Sequence, residues 1–407
     1  MKKQKGKIKN ALLFIFITVL LDILALGLII PILPKLILNF MGGNSMNAAQ
    51  MVGLFGTIWA LMQFFASPII GSLSDRFGRR PVILLSNLGT GIDYIVMALA
   101  PTIGWLFGGR IVSGITTSSI STAFAYIADS TTPEKRAAGF GLIGAAFSVG
   151  FVLGPTLGGI LGGVDPRLPF WVAAGLSIAN FFYGLLVLPE SLPPARRTGF
   201  SWKKANPVGS LVLLQSHKEL FGLAGIYFTN MLAHVVLSSV FVLYALYRYH
   251  WDEQAVGYSL AVVGICTGIV QGGLIRPFIK RFGERVALLT GLLFGVVGFA
   301  GFGWAPTGLL FLLAIPFMAL WGLANAAAQS LMTKHVSHKE QGQLQGANGS
   351  LRAIAEFIGP GLFTLIYAFS INPGHTWQLP GAPFFLAALF MVLNGLLTLF
   401  VLKSECR

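Results

Sequence analysis

Five ionisable residues lie inside long apolar stretches of the sequence, namely Asp22, Asp93, Arg110, Arg352 and Glu356. If those stretches cross a membrane, each charge costs about 2.5–3.5 kcal/mol to insert, so it is expected to face a partner or a wet cavity. Loss of hydration makes an isolated carboxyl group easier to protonate, which predicts that Asp22 and Asp93 bind a proton or a cationic substrate. We expect Arg110 to hold a nearby carboxylate in its charged form. The structural alternative for each residue is a buried ion pair or a hydrogen bond between helices.

Glu356 is the one acidic residue deep in an apolar stretch of the second half of the chain. Arg352 lies four residues earlier on the same helical face, which favours a mutual ion pair. The same stretch carries Gly359-Pro360, a break expected to open backbone groups and a cavity beside it. We therefore predict Glu356 as a second proton-coupling site that works with Asp22 and Asp93, unless it is only the structural partner of Arg352.

Polar side chains of other types also interrupt the apolar stretches. They are Gln63, Asn230, His234, Gln271, Asn325 and Gln329. Asn230 and His234 are four residues apart, as are Asn325 and Gln329, so each pair shares a helical face. Taken singly, each is most simply a hydrogen-bonding bridge between helices. Taken together, they predict a polar cavity that binds a substrate.

A charged turn, Gly71-Ser-Leu-Ser-Asp75-Arg76-Phe-Gly78-Arg79-Arg80, separates two apolar runs that are each long enough for a helix of about 20 residues across a bilayer. One interpretation is a solvated loop whose arginines orient the protein. A second interpretation is that a neighbouring helix packs closely here. Gly71 has no side chain to prevent its approach, and Asp75 would lie against its positive N-terminus. Asp129 and Arg136 flank a later loop on the same face. They are either separate surface charges or an ion pair that forms a cytosolic latch.

Glycines recur at every fourth position in one later apolar run. They are Gly150, Gly154, Gly158 and Gly162, with Pro155 and Gly159 beside them. The spacing predicts a face that packs tightly against another helix. A smooth, proline-bent strip of this kind would also let two parts of a membrane protein rock against each other without leaking protons.

The amino-acid composition indicates that these residues belong to a membrane protein. Of 407 residues, 55% are hydrophobic and only 10% are charged, far below the roughly 25% of soluble domains, so the chain is predicted to be a polytopic membrane protein. Its formal net charge of +14 reflects basic loops on one face, with only Lys35, Arg167 and Arg248 on the other. The positive-inside rule then places both termini in the cytosol and gives no reason to expect a nucleic-acid partner.

Apolar runs bounded by polar turns predict an all-α membrane fold of twelve transmembrane spans. They lie at 11–33, 50–73, 81–100, 104–127, 138–162, 168–189, 220–247, 256–278, 286–304, 308–333, 347–369 and 381–402. The polar stretch at 191–219 is predicted to be a cytosolic linker between a first half at 1–190 and a second half at 220–407.

The two halves are related by an internal repeat. Arg76-Phe-Gly-Arg-Arg80 recurs as Arg281-Phe-Gly-Glu-Arg285, and Gly154-Pro155 recurs as Gly359-Pro360, each 205 residues later (281 − 76 and 359 − 154). Two six-helix halves predict a secondary transporter with its site near the bilayer midplane between them. We find no nucleotide-binding loop, no metal-ligand cluster and no nucleophile with a base, which argues against an enzyme or an ATP-driven pump.

The turn after span two resembles the loop between helices 2 and 3 of the major facilitator superfamily. Nearly the whole chain is similar to the tetracycline-efflux branch of its drug:proton antiporters. The matching pieces include Leu21-Asp22, Ser74-Asp-Arg-Phe-Gly-Arg-Arg-Pro81, Asp93-Tyr94, Gly109-Arg110, Ala125-Tyr-Ile-Ala-Asp129, Gly154-Pro155 and Gln341-Gly-Gln-Leu-Gln-Gly346.

The resemblance implies that Asp22, Asp93 and Arg110 handle substrate and protons, that the turn at Asp75 gates the cytosolic side, and that the glycine strip is an antiporter signature. The chain departs from those exporters in span nine, where it has Leu292-Leu-Phe-Gly295 instead of an acidic residue. Span eleven departs as well, with Arg352 and Glu356 where uncharged residues are expected.

The leading hypothesis is a bacterial inner-membrane antiporter that functions as a monomer and exports an amphipathic drug by alternating access. It would need no cofactor besides the proton gradient, and its substrate would travel alone or as a metal chelate. Within the same class, the alternatives are export of an endogenous metabolite or siderophore, or solute symport. From another class, the alternative is a receptor or scaffold without transport, against which the insertion cost of Asp22, Asp93 and Arg110 argues.

Overall fold

The computed structural model describes residues 2–404 except positions 118, 132, 201–210, 212, 215–217, 338–339 and 377. The side chains at 2–12, 119–120, 133–140, 218–219, 342 and 401–404 also lie outside the description. The described residues form helices, turns and connecting segments, with no strand among them. Such a fold is expected for apolar runs in lipid, because a helix satisfies its backbone hydrogen bonds within one segment.

The helices follow the apolar runs in chain order. In the first half they are α1 (Lys2–Ile29), α2 (Leu33–Phe40), α3 (Ser45–Phe77), α4 (Arg79–Leu99), α5 (Ile103–Thr116), α6 (Ser119–Ser130), α7 (Pro133–Val164) and α8 (Leu168–Val187). In the second half they are α9 (Lys218–Ser239), α10 (Phe241–Tyr249), α11 (Glu253–Ile269), α12 (Ile275–Trp304), α13 (Gly308–Leu320), α14 (Gly322–Lys334), α15 (Gln341–Ser370) and α16 (Ala382–Ser404).

The number of membrane crossings agrees with the twelve predicted spans. Within the described residues, 11 helical runs are long and apolar enough to cross a bilayer, and one of them, Glu253–Trp304, has 52 residues. That length is more than twice the roughly 20 residues that one crossing needs. Gly283 interrupts its regular helical geometry at φ 79° and ψ 167°. This run therefore supplies spans eight and nine.

Four predicted spans are interrupted where continuous helices were expected. Span one breaks between α1 and α2, span four at Thr117, span seven at Val240 and span ten at Trp321. The first break contains Pro31, which cannot donate a backbone hydrogen bond. The interrupted spans are therefore one, four, seven and ten, so that every third span is discontinuous. Discontinuous helices of this kind form binding sites in many transporters.

The chain forms two compact units. Unit 1 contains Met1–Leu36, Ile58–Asn206 and Asp252–Ala261, and unit 2 contains Ile37–Thr57, Pro207–Trp251 and Val262–Arg407. The unit boundary falls inside α2, α3 and α11, so each of these helices contributes one end to each unit. In unit 1, α1 packs on α7 and α8, and α4 packs on α8. In unit 2, α9 packs on α15 and α16, and α12 packs on α14 and α16.

Aromatic side chains dominate the core of unit 2. Phe302 stacks on Phe311 with ring centroids 4.4 Å apart, and the edge of Phe384 meets Tyr244 at 5.1 Å. Such pairs add about 0.5–1.5 kcal/mol each beyond the apolar area they bury. The hydroxyl of Tyr244 donates to the carbonyl of Phe302 at 3.0 Å, which satisfies its one polar atom. This core fixes the helices that carry the polar residues of unit 2.

Candidate functional site

Asp93 and Arg110 lie close together in unit 1, on the adjacent helices α4 and α5. Asp93 is only 2% exposed, and neither of its carboxylate oxygens has a hydrogen-bond partner in the described part of the structure. Arg110 is also buried, but its Nη2 donates to Sδ of Met97 at 3.4 Å. A Cβ atom at Gly109 would lie 2.9 Å from Oδ1 of Asp93, so this glycine makes room for the carboxylate. Both oxygens of Asp93 are therefore buried without a described hydrogen-bond partner, a cost that a proton or a nearby cationic group would relieve.

A cavity of about 540 Å³ opens beside Asp93. Its walls come from the same two helices, with Ile92 and Val96 on α4 and Trp105 and Val112 on α5. Most of the lining is apolar, and Asp93 is its one ionisable residue. Ile92, Trp105 and Val112 in its wall are 51%, 56% and 44% exposed, so the cavity is an open apolar groove between two membrane helices.

Asp22 is held by a residue that the sequence analysis missed. Its Oδ1 accepts a hydrogen bond of 2.8 Å from Nδ2 of Asn180, which lies on α8. The same Nδ2 group also donates to the carbonyl of Thr18 at 2.9 Å, and Asn180 is fully buried. Asn180 is a polar residue in an apolar run, so the criterion that selected Asn230 should have selected it as well.

A second polar cluster lies in unit 2 around Asn230. Its Oδ1 accepts from Nε1 of Trp321 and from Nδ2 of Asn394, each at 3.3 Å. His234, one turn further along α9, stacks on Trp321 with centroids 5.8 Å apart, and its side chain is exposed. The predicted pair of Asn230 and His234 therefore shares a face, while Trp321 and Asn394 were not anticipated. An indole or amide at membrane depth is the signal that could have found them.

The predicted ion pair of span eleven is present. Nε of Arg352 lies 2.7 Å from Oε1 of Glu356, and the two side chains are 63% and 32% exposed. An ion pair that remains accessible on a membrane helix faces either water or lipid, and the insertion cost favours water. Tyr227 lies within reach of both charges and also of the side chain of Gln329, another predicted site residue. This cluster brings the predicted residues Gln329 of α14 and Arg352 and Glu356 of α15 together with Tyr227 of α9, which was not anticipated.

Three predicted substrate residues remain outside these clusters. Gln63 is half-buried in unit 1, and Asn325 is half-buried on α14 with no described partner for its Oδ1. Gln271 is exposed within Val270–Leu274, a segment of wider helical turn between α11 and α12. Such π-type turns frequently occur at functional sites.

The charged turn after span two forms an ordered ion-pair network around Arg79. Its Nη2 lies 2.7 Å from Oδ1 of Asp75, and its Nε lies 3.0 Å from Oδ2 of Asp129 at the end of α6. Asp129 is therefore not simply a surface charge, although the side chain of Arg136 lies outside the described part.

The predicted close approach of a helix to Gly71 is wrong for this structure, since a Cβ atom there would meet no atom within 4 Å. Arg76 is exposed and lies over the ring of Phe77.

Glu190 caps the start of α4, a role that the sequence did not reveal. Its Oε1 accepts from the backbone N–H of Arg79 at 2.9 Å, and its Oε2 accepts from that of Arg80 at 3.3 Å. The first N–H groups of a helix have no partner within the helix, and the helix dipole favours a negative charge there. Arg197 lies 3.9 Å from the same carboxylate. The beginning of the linker is thus bound to the charged turn.

Gly78→Ala should disturb this cap. Gly78 has φ 107°, and a Cβ atom would collide with Oε2 of Glu190. We expect a loss of about 1–3 kcal/mol, which is typical of strain in a sparsely populated backbone region. Thermal unfolding of the purified protein in detergent measures it. Gly199→Ala is the matched control, because Gly199 lies in the linker that begins near Glu190 and a Cβ atom there would meet no atom within 4 Å. Equal melting temperatures for the two variants would contradict this account.

The glycine strip packs α7 against α1. A Cβ atom at Gly150 would lie 2.6 Å from the side chain of Ile23, and one at Gly154 would lie 2.7 Å from Cα of Gly27. At Gly158 it would collide with the backbone of Leu28. The tight packing predicted from the spacing is therefore confirmed. Near Pro155, a Cβ atom at Gly159 would lie 3.1 Å from Cα of Gly257, in the part of α11 that belongs to unit 1.

Comparisons with known proteins place these features in a family. A family model described as Major Facilitator Superfamily matches residues 15–360. Tetracycline resistance protein, class C, of Escherichia coli is 37% identical over 391 residues, covering 96% of this chain and 98% of the relative. Tetracycline resistance protein, class B, also of Escherichia coli, is 33% identical over 380 residues, covering 93% and 94%.

Solved structures agree on the fold. The crystal structure of the human organic anion transporter MFSD10 matches with a TM-score of 0.72 and 24% identity, covering 96% of this chain and 99% of that one. The nucleoside transporter NupG matches with a TM-score of 0.78 and 14% identity, covering 97% and 99%. At such identities the structural likeness concerns the fold alone. With the family match and the 37% identical relative, it shows that the chain is a secondary transporter of the major facilitator superfamily and belongs there to the family of the tetracycline resistance proteins.

Proposed function

We propose that this transporter exports tetracycline-type drugs across a bacterial inner membrane in exchange for protons. The observation that carries the proposal is the identity of 37% with a tetracycline resistance protein over 96% of the chain. The positive-inside distribution of charge supports a cytosolic location for both termini. The transporter would act as a monomer, and its energy would come from the proton gradient.

The chemistry of the site in unit 1 fits this exchange. Asp93 offers two unpartnered carboxylate oxygens at the edge of a largely apolar cavity, while Asp22 is oriented by Asn180. A proton and a cationic group of the drug compete for the same carboxylate, because either one removes its unpaired charge. Exchange then requires that the protein change conformation only when either the proton or the drug has neutralised this carboxylate. Arg110 would favour the charged, drug-binding form of a nearby carboxylate.

A susceptibility panel in an efflux-deficient bacterial host tests the substrate. We expect expression of the chain to raise tolerance to tetracyclines several-fold, and everted membrane vesicles to take up tetracycline only when a proton gradient is present. Varying Mg²⁺ in the vesicle assay shows whether the drug travels as a chelate. Tolerance to other amphipathic compounds instead would overturn the tetracycline assignment. Absence of flux for every panel compound would favour the scaffold alternative.

Arg352 and Glu356 are the second proposed coupling site. The pair closes at 2.7 Å and remains accessible, so protonation of Glu356 would open it and release Arg352. We expect Glu356→Gln to weaken uphill export by roughly 5-fold or more, the size of a typical coupling free energy. The measurement is the pH dependence of drug uptake by everted vesicles. Unchanged uphill export with an unchanged pH profile would reduce Glu356 to the structural partner of Arg352.

A further inference from the structure

The internal repeat extends to the geometry of the two charged turns. Gly78 and Gly283 occupy equivalent positions, 205 residues apart (283 − 78), and both adopt a left-handed backbone with φ 107° and φ 79°. Each glycine directly precedes a helical segment, which begins at Arg79 in unit 1 and at Glu284 in unit 2. The turn therefore repeats in three dimensions, and its neighbouring residues can be compared position by position.

Each turn carries an ion pair to the end of a neighbouring helix. In unit 1, Nε of Arg79 lies 3.0 Å from Oδ2 of Asp129, near the end of α6. In unit 2, Oε1 of Glu284 lies 2.7 Å from Nζ of Lys334, the last residue of α14, and also accepts from Oγ of Ser330 at 3.3 Å. Both partners are displaced by the repeat interval (284 − 79 and 334 − 129), so the two pairs occupy equivalent places with opposite signs.

A third position follows the same rule. Asp75, which pairs with Arg79, has Lys280 as its equivalent (280 − 75). Arg76 and Arg80 keep their sign in Arg281 and Arg285, so the reversal is confined to the positions of Asp75, Arg79 and Asp129. The attraction between two charges is unchanged when both signs are reversed, whereas reversing one sign produces repulsion. Both turns therefore keep an attractive ion pair to a neighbouring helix, although the positive charge is on the turn in unit 1 and on the neighbouring helix in unit 2.

We propose that Glu284 and Lys334 are positioning residues, which hold the ends of spans nine and ten together as Arg79 and Asp129 hold those of spans three and four. The pair in unit 2 is more accessible, with side chains 21% and 58% exposed against 10% and 24% for Arg79 and Asp129. Water screens an exposed pair more strongly, so its effect should be the smaller of the two. The proposal does not depend on which drug is exported.

Charge reversal tests the proposal. Glu284→Lys and Lys334→Glu should each lower the maximal export rate by roughly two- to fivefold, the range for an exposed ion pair, with little change in the substrate concentration at half-maximal rate. The double variant E284K/K334E should recover most of the rate, because it restores the attraction. The melting temperature of the purified protein should follow the same pattern, and it needs no substrate.

Two controls make the outcome decisive. Arg276→Glu changes an exposed residue and restores the net charge of Glu284→Lys without restoring the pair, so it should not rescue that variant, which separates pairing from a general change of surface charge. If a charge reversal prevents folding, Glu284→Gln and Lys334→Gln provide milder single changes for the same comparison. The proposal is overturned if the export rate and melting temperature of the double variant are no higher than those of the worse single variant. It is also overturned if both single variants match the unmodified protein in these two quantities.

Discussion

Asp93→Asn should abolish drug accumulation driven by a proton gradient. Asp93 is buried, and neither of its oxygens has a described partner, so the substitution removes the one charge that a proton or a cationic drug would neutralise there. We expect uphill uptake by everted vesicles to fall on the order of 100-fold, near the upper end of typical coupling free energies. Asparagine keeps the shape of the side chain, so the protein should still fold.

Proton-independent exchange separates the possible roles of Asp93. If Asp93 carries the proton but not the drug, Asp93→Asn should retain the exchange of labelled for unlabelled drug in vesicles without a gradient. If it also binds the drug, both activities should disappear together. Asp252→Asn is the control, because that exposed carboxylate only accepts a hydrogen bond from the N–H of Ala255 at the start of α11. Normal uphill transport in Asp93→Asn would refute the coupling role.

Gly154→Ala should have the largest effect on the structure. A Cβ atom there would lie 2.7 Å from Cα of Gly27 and 3.1 Å from the carbonyl oxygen of Leu24, so it would meet backbone and not a flexible side chain. Helices α1 and α7 would have to separate, at a cost of about 1–3 kcal/mol for overpacking. We expect a lower melting temperature and nearly complete loss of export, because α1 carries Asp22 and would be displaced from its place against Asn180.

Gly144→Ala is a control within the same helix. A Cβ atom at Gly144 would meet no atom within 4 Å, so the same change in composition has no steric consequence in this structure. Helix propensity should even improve, by up to about 1 kcal/mol. Its melting temperature should therefore equal or exceed that of the unmodified protein. A Gly154→Ala protein as stable and active as Gly144→Ala would show that the strip tolerates a side chain.

Local properties of the sequence were sufficient for the architecture. Each crossing needs about 20 mostly apolar residues, and a single segment satisfies its own backbone hydrogen bonds, so the spans could be located without knowing their neighbours. The pair of Arg352 and Glu356 was predictable for the same reason, since residues four apart on a helix always lie on one face. The 205-residue repeat likewise requires only the sequence.

Contacts between helices were decided by the tertiary structure. Asn180 reaches Asp22 across 158 positions, and Glu190 reaches the start of α4 across 111. Lipid-exposed helices are apolar on most sides, so their sequences contain little information about which face meets which neighbour. The breaks in spans four, seven and ten were also invisible, because no proline marks them as Pro31 marks the break in span one. The sequence alone therefore determined which residues cross the membrane and which of them are polar, whereas their partners depended on helix rotation and packing that only the folded chain defines.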